Sequence, residues 1–333
     1  MKGCLAVLSC LILSALHPAT ARQEDFVEKV HAAWLSEQRG NLAEAERILL
    51  AVRKDVADVG PDDSRKGLIL YRLGSVYHSE GRYLEAEMHY RNAIQVWKRV
   101  PGTDDVLLTQ SMRSLAALYL ETGQYTKVER LGLDSLARRL ETTMPGSATL
   151  AGLTGTLGAL AFAQRKYDEA ETYYRQALAL WEKLAPDSRE RLQILTDLGT
   201  LHYQRARYLE TLRCYERALT VAEALVPRDS PDEVRLLASM GAVLLKTQGT
   251  AEAITFYKKA LALGESTLGP EHPIVGQILL NYAGVLRLAK QKAEAKICQR
   301  RAEAILKASN RQVATYSIDA ADLRRNPNPG ARH

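Results

Sequence analysis

Between Leu73 and Ala93 the apolar and small residues recur at helical spacing, pause at Gly81, and resume after Tyr83. Leu73, Gly74 and Tyr77 share one helix face and Ala86, Tyr90 and Ala93 another, which predicts two amphipathic helices joined by a tight turn. Ala93 has counterparts at Ser135, Ala177, Ala218, Ala260 and Ala302, at intervals of 42, 42, 41, 42 and 42 residues. A fixed period of that length marks a tandem array in which every unit is one helix pair. The predicted fold is all-α, a solenoid of about seven helix-turn-helix repeats.

Two small-residue positions predict where the helices meet. The first-helix position is Ala33, Gly74, Ala116, Gly158, Gly199, Gly241 and Ala283 in successive units. The second-helix position is Ala45, Ala86, Val128, Ala170, Thr211, Ala253 and Ala295. Only short side chains let helix axes approach within about 8 Å. Tyr90, Tyr174, Tyr215 and Tyr257 are expected to fill the space between consecutive units. The turns within pairs read Gly81-Arg82-Tyr83, Gly123-Gln124-Tyr125, Arg165-Lys166-Tyr167, Ala206-Arg207-Tyr208, Gln248-Gly249-Thr250 and Lys290-Gln291-Lys292. Each linker between pairs carries a helix breaker and a capping residue, as in Pro145-Gly146-Ser147 and Pro186-Asp187-Ser188.

The array is expected over residues 22–308, with a degenerate first repeat at 26–58 serving as a cap. Residues 1–21 read as a secretory signal: Lys2, an apolar run from Leu5 to Leu16, then Ala19-Thr20-Ala21. Export with cleavage near Ala21 is the expectation, and a retained N-terminal membrane anchor is the alternative. At the other end, Val313, Tyr316, Ile318 and Leu323 are expected to fold over the last unit as a cap within 309–333. The tail from Arg324, with Asn326-Pro327-Asn328-Pro329-Gly330, is expected to be disordered.

Composition narrows the function. The net charge of +6 becomes +5 without Lys2, and the basic residues are interleaved with acids along every helix. With no basic block and no aromatic–arginine platform, nucleic acid is not an expected partner. Cys214 and Cys298 lie two units apart, too far for a disulfide, and are expected as small packing side chains. No Gly-x-Ser-x-Gly, His-Glu-x-x-His, Cys-x-x-Cys or phosphate-cradling glycine loop occurs, so neither a catalytic site, a metal nor a cofactor is expected. His31, His78, His89, His202 and His272 stand singly and are expected on the surface or in a groove, His78 beside Tyr71 and Arg72. Trp34, Trp97 and Trp181 fall at apolar helical positions and are expected in the core. Repeat 3 places Gly152, Gly155 and Gly158 three residues apart; close helix contact is one reading, and a hollow admitting a ligand main chain is the other.

The period, the small-residue positions, and the segment Leu268-Gly269-Pro270-Glu271-His272-Pro273 with Asn281-Tyr282-Ala283 after it resemble the tetratricopeptide repeat, specifically its longer kinesin-light-chain type. The chain departs from that pattern at Ala161 in repeat 3 and at Val128, Gly132 and Ser135 in repeat 2, whose second helix should pack more loosely. The resemblance implies a right-handed superhelix whose first helices line a concave groove that holds peptides or proteins, without catalysis. Carried over by position, the groove would present Tyr71, Arg72, Ser75, His78, Arg113, Ser114, Leu120, Glu121, Phe162, Thr196, Asp197, Tyr203, Gln204, Lys246, Asn281 and Arg287. Tyr71, Arg72, Arg113, Tyr203 and Arg287 would be its hot spots. Asn281 matches the asparagine that in this type contacts a bound peptide backbone, and the other units carry Arg72, Ser114, Thr156, Asp197 and Ser239 there. That favours a protein-surface contact, or a local peptide site near one end. The expected function is a non-enzymatic, exported interaction scaffold; the alternative is an assembly subunit using the convex face or the array ends.

Overall fold

The computed structural model describes residues 21–60, 63–99, 105–225 and 231–308. The expected signal, apart from Ala21, and the C-terminal cap and tail lie outside the described residues. So do parts of three linkers. Every described element is a helix: α1 (Ala21–Gln38), α2 (Leu42–Asp55), α3 (Ser64–Ser79), α4 (Tyr83–Arg99), α5 (Asp105–Glu121), α6 (Tyr125–Glu129), α7 (Leu133–Thr143) and α8 (Ala148–Ala163). The chain continues with α9 (Tyr167–Leu184), α10 (Arg189–Gln204), α11 (Tyr208–Ala224), α12 (Pro231–Thr247), α13 (Thr250–Thr267), α14 (Pro273–Leu288) and α15 (Lys292–Ala308). These are seven successive pairs, the third with its second helix split into α6 and α7. Contacts divide the chain into two compact units that meet between Ala170 and Glu171, inside α9.

One turn, repeated, makes the pairs. Gly40, Gly81 and Gly123 take left-handed φ of 78°, 74° and 71°, and Arg165, Ala206 and Lys290 do the same at 62°, 56° and 62°. In each case two amides reach back to close the helix end; Gly81 N–H donates to the His78 carbonyl at 2.9 Å and Arg82 N–H to that of Tyr77 at 2.8 Å. This is the Schellman arrangement, which satisfies the last carbonyls and reverses the chain. The linkers then restart the helices through side-chain caps: Asp63 accepts from Arg65 N–H, Ser147 from Leu150, and Ser188 from Arg191. His272 caps α14 through Nδ1, 3.2 Å from Ile274 N.

Within each unit the small-residue positions lie at the helix seams. In unit 1 (to Ala170), α1 packs on α2, α2 on α3, α3 on α4 and α4 on α5. A Cβ on Gly74 would stand 2.7 Å from the Tyr90 ring, and one on Gly67 would stand 2.7 Å from Trp97. In unit 2 (from Glu171), α10/α11, α12/α13 and α14/α15 pack as pairs, with α11 on α12 and α13 on α14. There a Cβ on Gly199 would meet Tyr215 at 2.4 Å, and one on Gly241 would meet Tyr257 at 3.1 Å and the Ala253 carbonyl at 3.4 Å. The tyrosines therefore sit first on the glycine of their own pair; Tyr257 also reaches the next pair, stacking on Tyr282 at 6.0 Å. Each such ring, at most 2% exposed, contributes about 1.5–3 kcal/mol through burial.

The third pair, which carries Val128, Gly132 and Ser135, departs further than loose packing. Gly132 stands where Tyr90, Tyr174, Tyr215 and Tyr257 stand elsewhere, and its φ of 71° ends the helix between Glu129 and Leu133. Two histidines are corrections: His89 and His202 are core residues, 5% and 3% exposed. His89 is accommodated by a 2.9 Å contact from Nδ1 to the Glu85 carbonyl and an edge contact with Tyr77, and burial lowers the pKa of both histidines. Trp97 and Trp181 are buried, while Trp34 is partly open and stacks on His31.

Candidate functional site

The face built from first helices differs between the two units. In unit 1 its polar side chains are bonded from one pair to the next. Ser75 Oγ donates to Glu37 on α1 at 2.5 Å, and the Tyr71 hydroxyl accepts from Gln110 on α5 at 3.1 Å. His78 Nε2 lies 2.8 Å from one oxygen of Glu121 on α5, and the Tyr83 hydroxyl donates to the other at 2.6 Å. Burial pushes the Glu121 carboxyl up, but the bonds from Tyr83 and His78 outweigh it, and its pKa is lowered overall. His78 thus faces the next pair and the rings of Tyr83 and Tyr90. Arg72 lies over the Tyr71 ring, 5.8 Å from its centroid, and its Nε is buried without a hydrogen bond. Ser114, Leu120 and Phe162 are half-buried, Phe162 with its ring 5.8 Å from Tyr167.

The mid-array glycines also resolve. α8 packs directly on α5, and a Cβ on Gly152 would lie 2.4–2.8 Å from the Arg113 guanidinium. Arg113 also bonds Gln110 at 3.3 Å and Thr156 at 3.4 Å. Space in front of Gly152 is therefore filled by this chain's own arginine, which overturns the hollow there. Gly155 is buried as well. Neither sequence position pointed to the other, because the pairing is tertiary.

In unit 2 two bonds on the corresponding face run along single helices. Gln193 Nε2 donates to Asp197 Oδ1 at 2.8 Å, one turn apart on α10, and Gln277 Nε2 to Asn281 Oδ1 at 3.4 Å on α14. Asp197 is half-buried, and burial pushes its pKa up to about 7 against the opposing bond from Gln193. Burial also lowers the pKa of Lys246, on α12 at the register that Gln204 holds on α10. Thr196 bonds back to the Leu192 carbonyl, and the ring of Tyr203 lies 5.7 Å from that of Tyr208. Gln204 is exposed. Asn281 is only 3% exposed, so it is a core amide rather than an open contact. Arg287 is exposed and bonds Gln299 on the second helix of its own pair. α12 and α14 touch directly, so their first-helix faces adjoin.

Among the described residues, no cluster of three or more His, Cys, Asp or Glu side chains could hold a metal ion. Cys214 and Cys298 are free thiols, and burial raises both pKa values, which disfavours the reactive thiolate. No described helix is long and apolar enough to cross a membrane.

A family model described as tetratricopeptide repeat matches residues 65–141, 149–224 and 232–308, more than half of the chain. Among curated proteins, Protein KINESIN LIGHT CHAIN-RELATED 2 of Arabidopsis thaliana is 22% identical over 190 residues, covering 55% of this chain but 28% of that protein. The chain thus spans under a third of that relative. Among solved structures, a kinesin light chain of Podosopora anserina with nearly identical TPR-like repeats aligns with TM-score 0.53 and 18% identity, covering 61% of this chain and 96% of that one. The Rap conjugation gene regulator of the plasmid pLS20, solved with a Phr peptide, aligns with TM-score 0.60 and 15% identity over 87% of this chain and 76% of that one. At those identities the likeness is one of fold.

Proposed function

Because this chain belongs to the tetratricopeptide-repeat family, we propose that it is a non-enzymatic scaffold that holds a partner protein or peptide on its first-helix face. The binding segment is the face of α10, α12 and α14. Asp197 carries this reading: a half-buried carboxylate bonded by a neutral amide one turn away gains from a further donor. A backbone N–H or a cationic side chain of a ligand would supply it. Gln204 and Lys246 continue the polar surface at the next register. In unit 1, by contrast, Ser75, Tyr71, His78 and Arg113 are engaged in bonds between pairs, so they hold the array in shape. A Rap regulator bound to a peptide supports the general mode, since its fold is similar.

The experiment is affinity capture with the chain from residue 22 and with its Asp197→Ala/Lys246→Glu double variant. A partner recovered by the first and lost from the second, with both equally helical, supports the face. Equal recovery refutes it and favours assembly through the ends or the second helices. We also propose export after cleavage near Ala21. N-terminal sequencing of the mature protein checks it, and a retained Met1 contradicts it.

A further inference from the structure

Among the described side-chain caps, one differs from the rest. Asp63, Ser147 and Ser188 each accept a backbone N–H through an oxygen. At α14 the acceptor is an imidazole nitrogen, His272 Nδ1, 3.2 Å from Ile274 N. A ring nitrogen accepts only while it carries no proton, so this bond places the single proton of the neutral ring on Nε2. Pro273 opens the helix and has no N–H, which makes Ile274 N–H the first donor that α14 presents. The main chain at His272 is held separately: its N–H donates to the Gly269 carbonyl at 3.1 Å, and its carbonyl accepts from Gly276 at 3.2 Å. Only the side-chain bond responds to protonation.

Protonation removes that acceptor and sets a positive charge at a helix N-terminus, where the backbone dipole opposes it. Burial, and after it the Arg235 guanidinium facing the ring from α12, lowers the pKa of His272 below the ordinary 6.5. The charges brought up by α13 and α15 are paired with each other: Glu265 with Arg301, whose other nitrogen donates to the Pro270 carbonyl at 3.0 Å. Glu271, the chain neighbour, is exposed. Among the described residues no carboxylate pairs with this imidazole, in contrast to His78, which lies 2.8 Å from Glu121. The turn that the cap closes also anchors the helix. Ile274 and Val275 are 6% and 0% exposed, and Val275 lies 3.3 Å from where a Cβ on Gly264 of α13 would stand.

We propose that His272 is an acid-released cap: neutral, it closes the first turn of α14, and protonated, it frees that turn and loosens the joint between the sixth and seventh pairs. Because the folded chain disfavours the charged ring, the stability it gives is complete above the unfolded value of about 6.5. That stability is lost as pH falls through the lowered folded value. Asparagine at the same place accepts at every pH, so it keeps the cap and removes the response. α14 belongs to the face proposed above, but the cap does not depend on that reading.

The experiment is hydrogen exchange read by mass spectrometry on the full chain at pH 8, 6 and 5, each rate corrected for the intrinsic effect of pH. A fragment covering 270–279 reports the first turn of α14, and one covering 237–246 in α12 is the reference. In the unaltered chain the first turn should lose about tenfold in protection relative to the reference between pH 8 and pH 5, from a lost cap and an opposed dipole together. In His272→Asn the ratio should stay level. In Arg235→Gln the loss should begin at higher pH, because one opposing cation is gone. A level ratio in the unaltered chain overturns the proposal. So does an equal loss in His272→Asn, which would assign the effect to the buried His89 or His202. Should a variant fail to fold, imidazole ¹⁵N shifts of His272 in the unaltered chain decide: the Nε2–H tautomer at pH 8 supports the cap, and the Nδ1–H tautomer overturns it.

Discussion

Asp197→Asn offers a quantitative probe of the first-helix face. The carboxylate has an ordinary value of 3.8 and is pushed up to about 7 by burial, with Gln193 pulling the other way. Between those values the folded chain keeps a proton that the unfolded chain has released. Stability from this group is therefore greatest near pH 4, falls as pH rises to about 7, and is flat above. Full desolvation would make the fall about 4 kcal/mol, at 1.36 kcal/mol per pH unit. Because Asp197 is only half-buried, water and relaxation should reduce it to about 1–2 kcal/mol. Asparagine keeps the size and can still accept from Gln193, but it has no charge to desolvate. Urea unfolding followed by circular dichroism, for both chains at pH 5, 6, 7 and 8, reads the difference. The variant should gain on the parent as pH rises, reaching about 1–2 kcal/mol at pH 8. Parallel profiles would show that the carboxylate is well solvated or already paired, and the ligand-donor argument would fail with them.

Other expectations concern the seams and turns. Gly199→Ala drives a methyl to 2.4 Å from Tyr215 and 3.3 Å from Cys214, so it should cost about 1–3 kcal/mol in thermal unfolding; an unshifted melt would contradict the seam. Arg165→Gly, Ala206→Gly and Lys290→Gly relieve left-handed backbone at three of the six repeated turns, and each should stabilise by about 0.5–1 kcal/mol. Glu121→Gln should cost about 0.5 kcal/mol at pH 7, and the cost should shrink as pH falls through the lowered carboxyl pKa. A cost that does not change as acid is added would mean the side chain acts by shape rather than charge.

Much of the architecture was legible because spacing carries it. A period of 42 residues with glycine or alanine at one helix position and alanine at another leaves one way for neighbours to approach, and the seams at Gly74, Gly199 and Gly241 follow it. The left-handed turn was visible at Gly81 and Gly123, but not at Arg165, Ala206 and Lys290, where the repeat imposes the conformation despite its backbone cost. The helix break had a signal in Gly132 standing at the tyrosine position.

The site was less legible, since position on a first helix does not say what a side chain is bonded to. Arg113 and Gly152 were each notable alone, yet their mutual fit depends on α5 lying against α8. Asn281 matched a recognition position and is nevertheless buried. Asp197 looked like one polar residue among many until burial set it apart.

Site-specific photo-crosslinking to the captured partner tests the binding face most directly. A benzophenone side chain is placed singly at Gln204 or Lys246 on the first-helix face, and at Leu209 or Ile297, exposed positions on second helices. Crosslinks from Gln204 and Lys246, and none from Leu209 and Ile297, are the predicted result. Crosslinks confined to Leu209 or Ile297 would place the partner on the other side and contradict the proposed function.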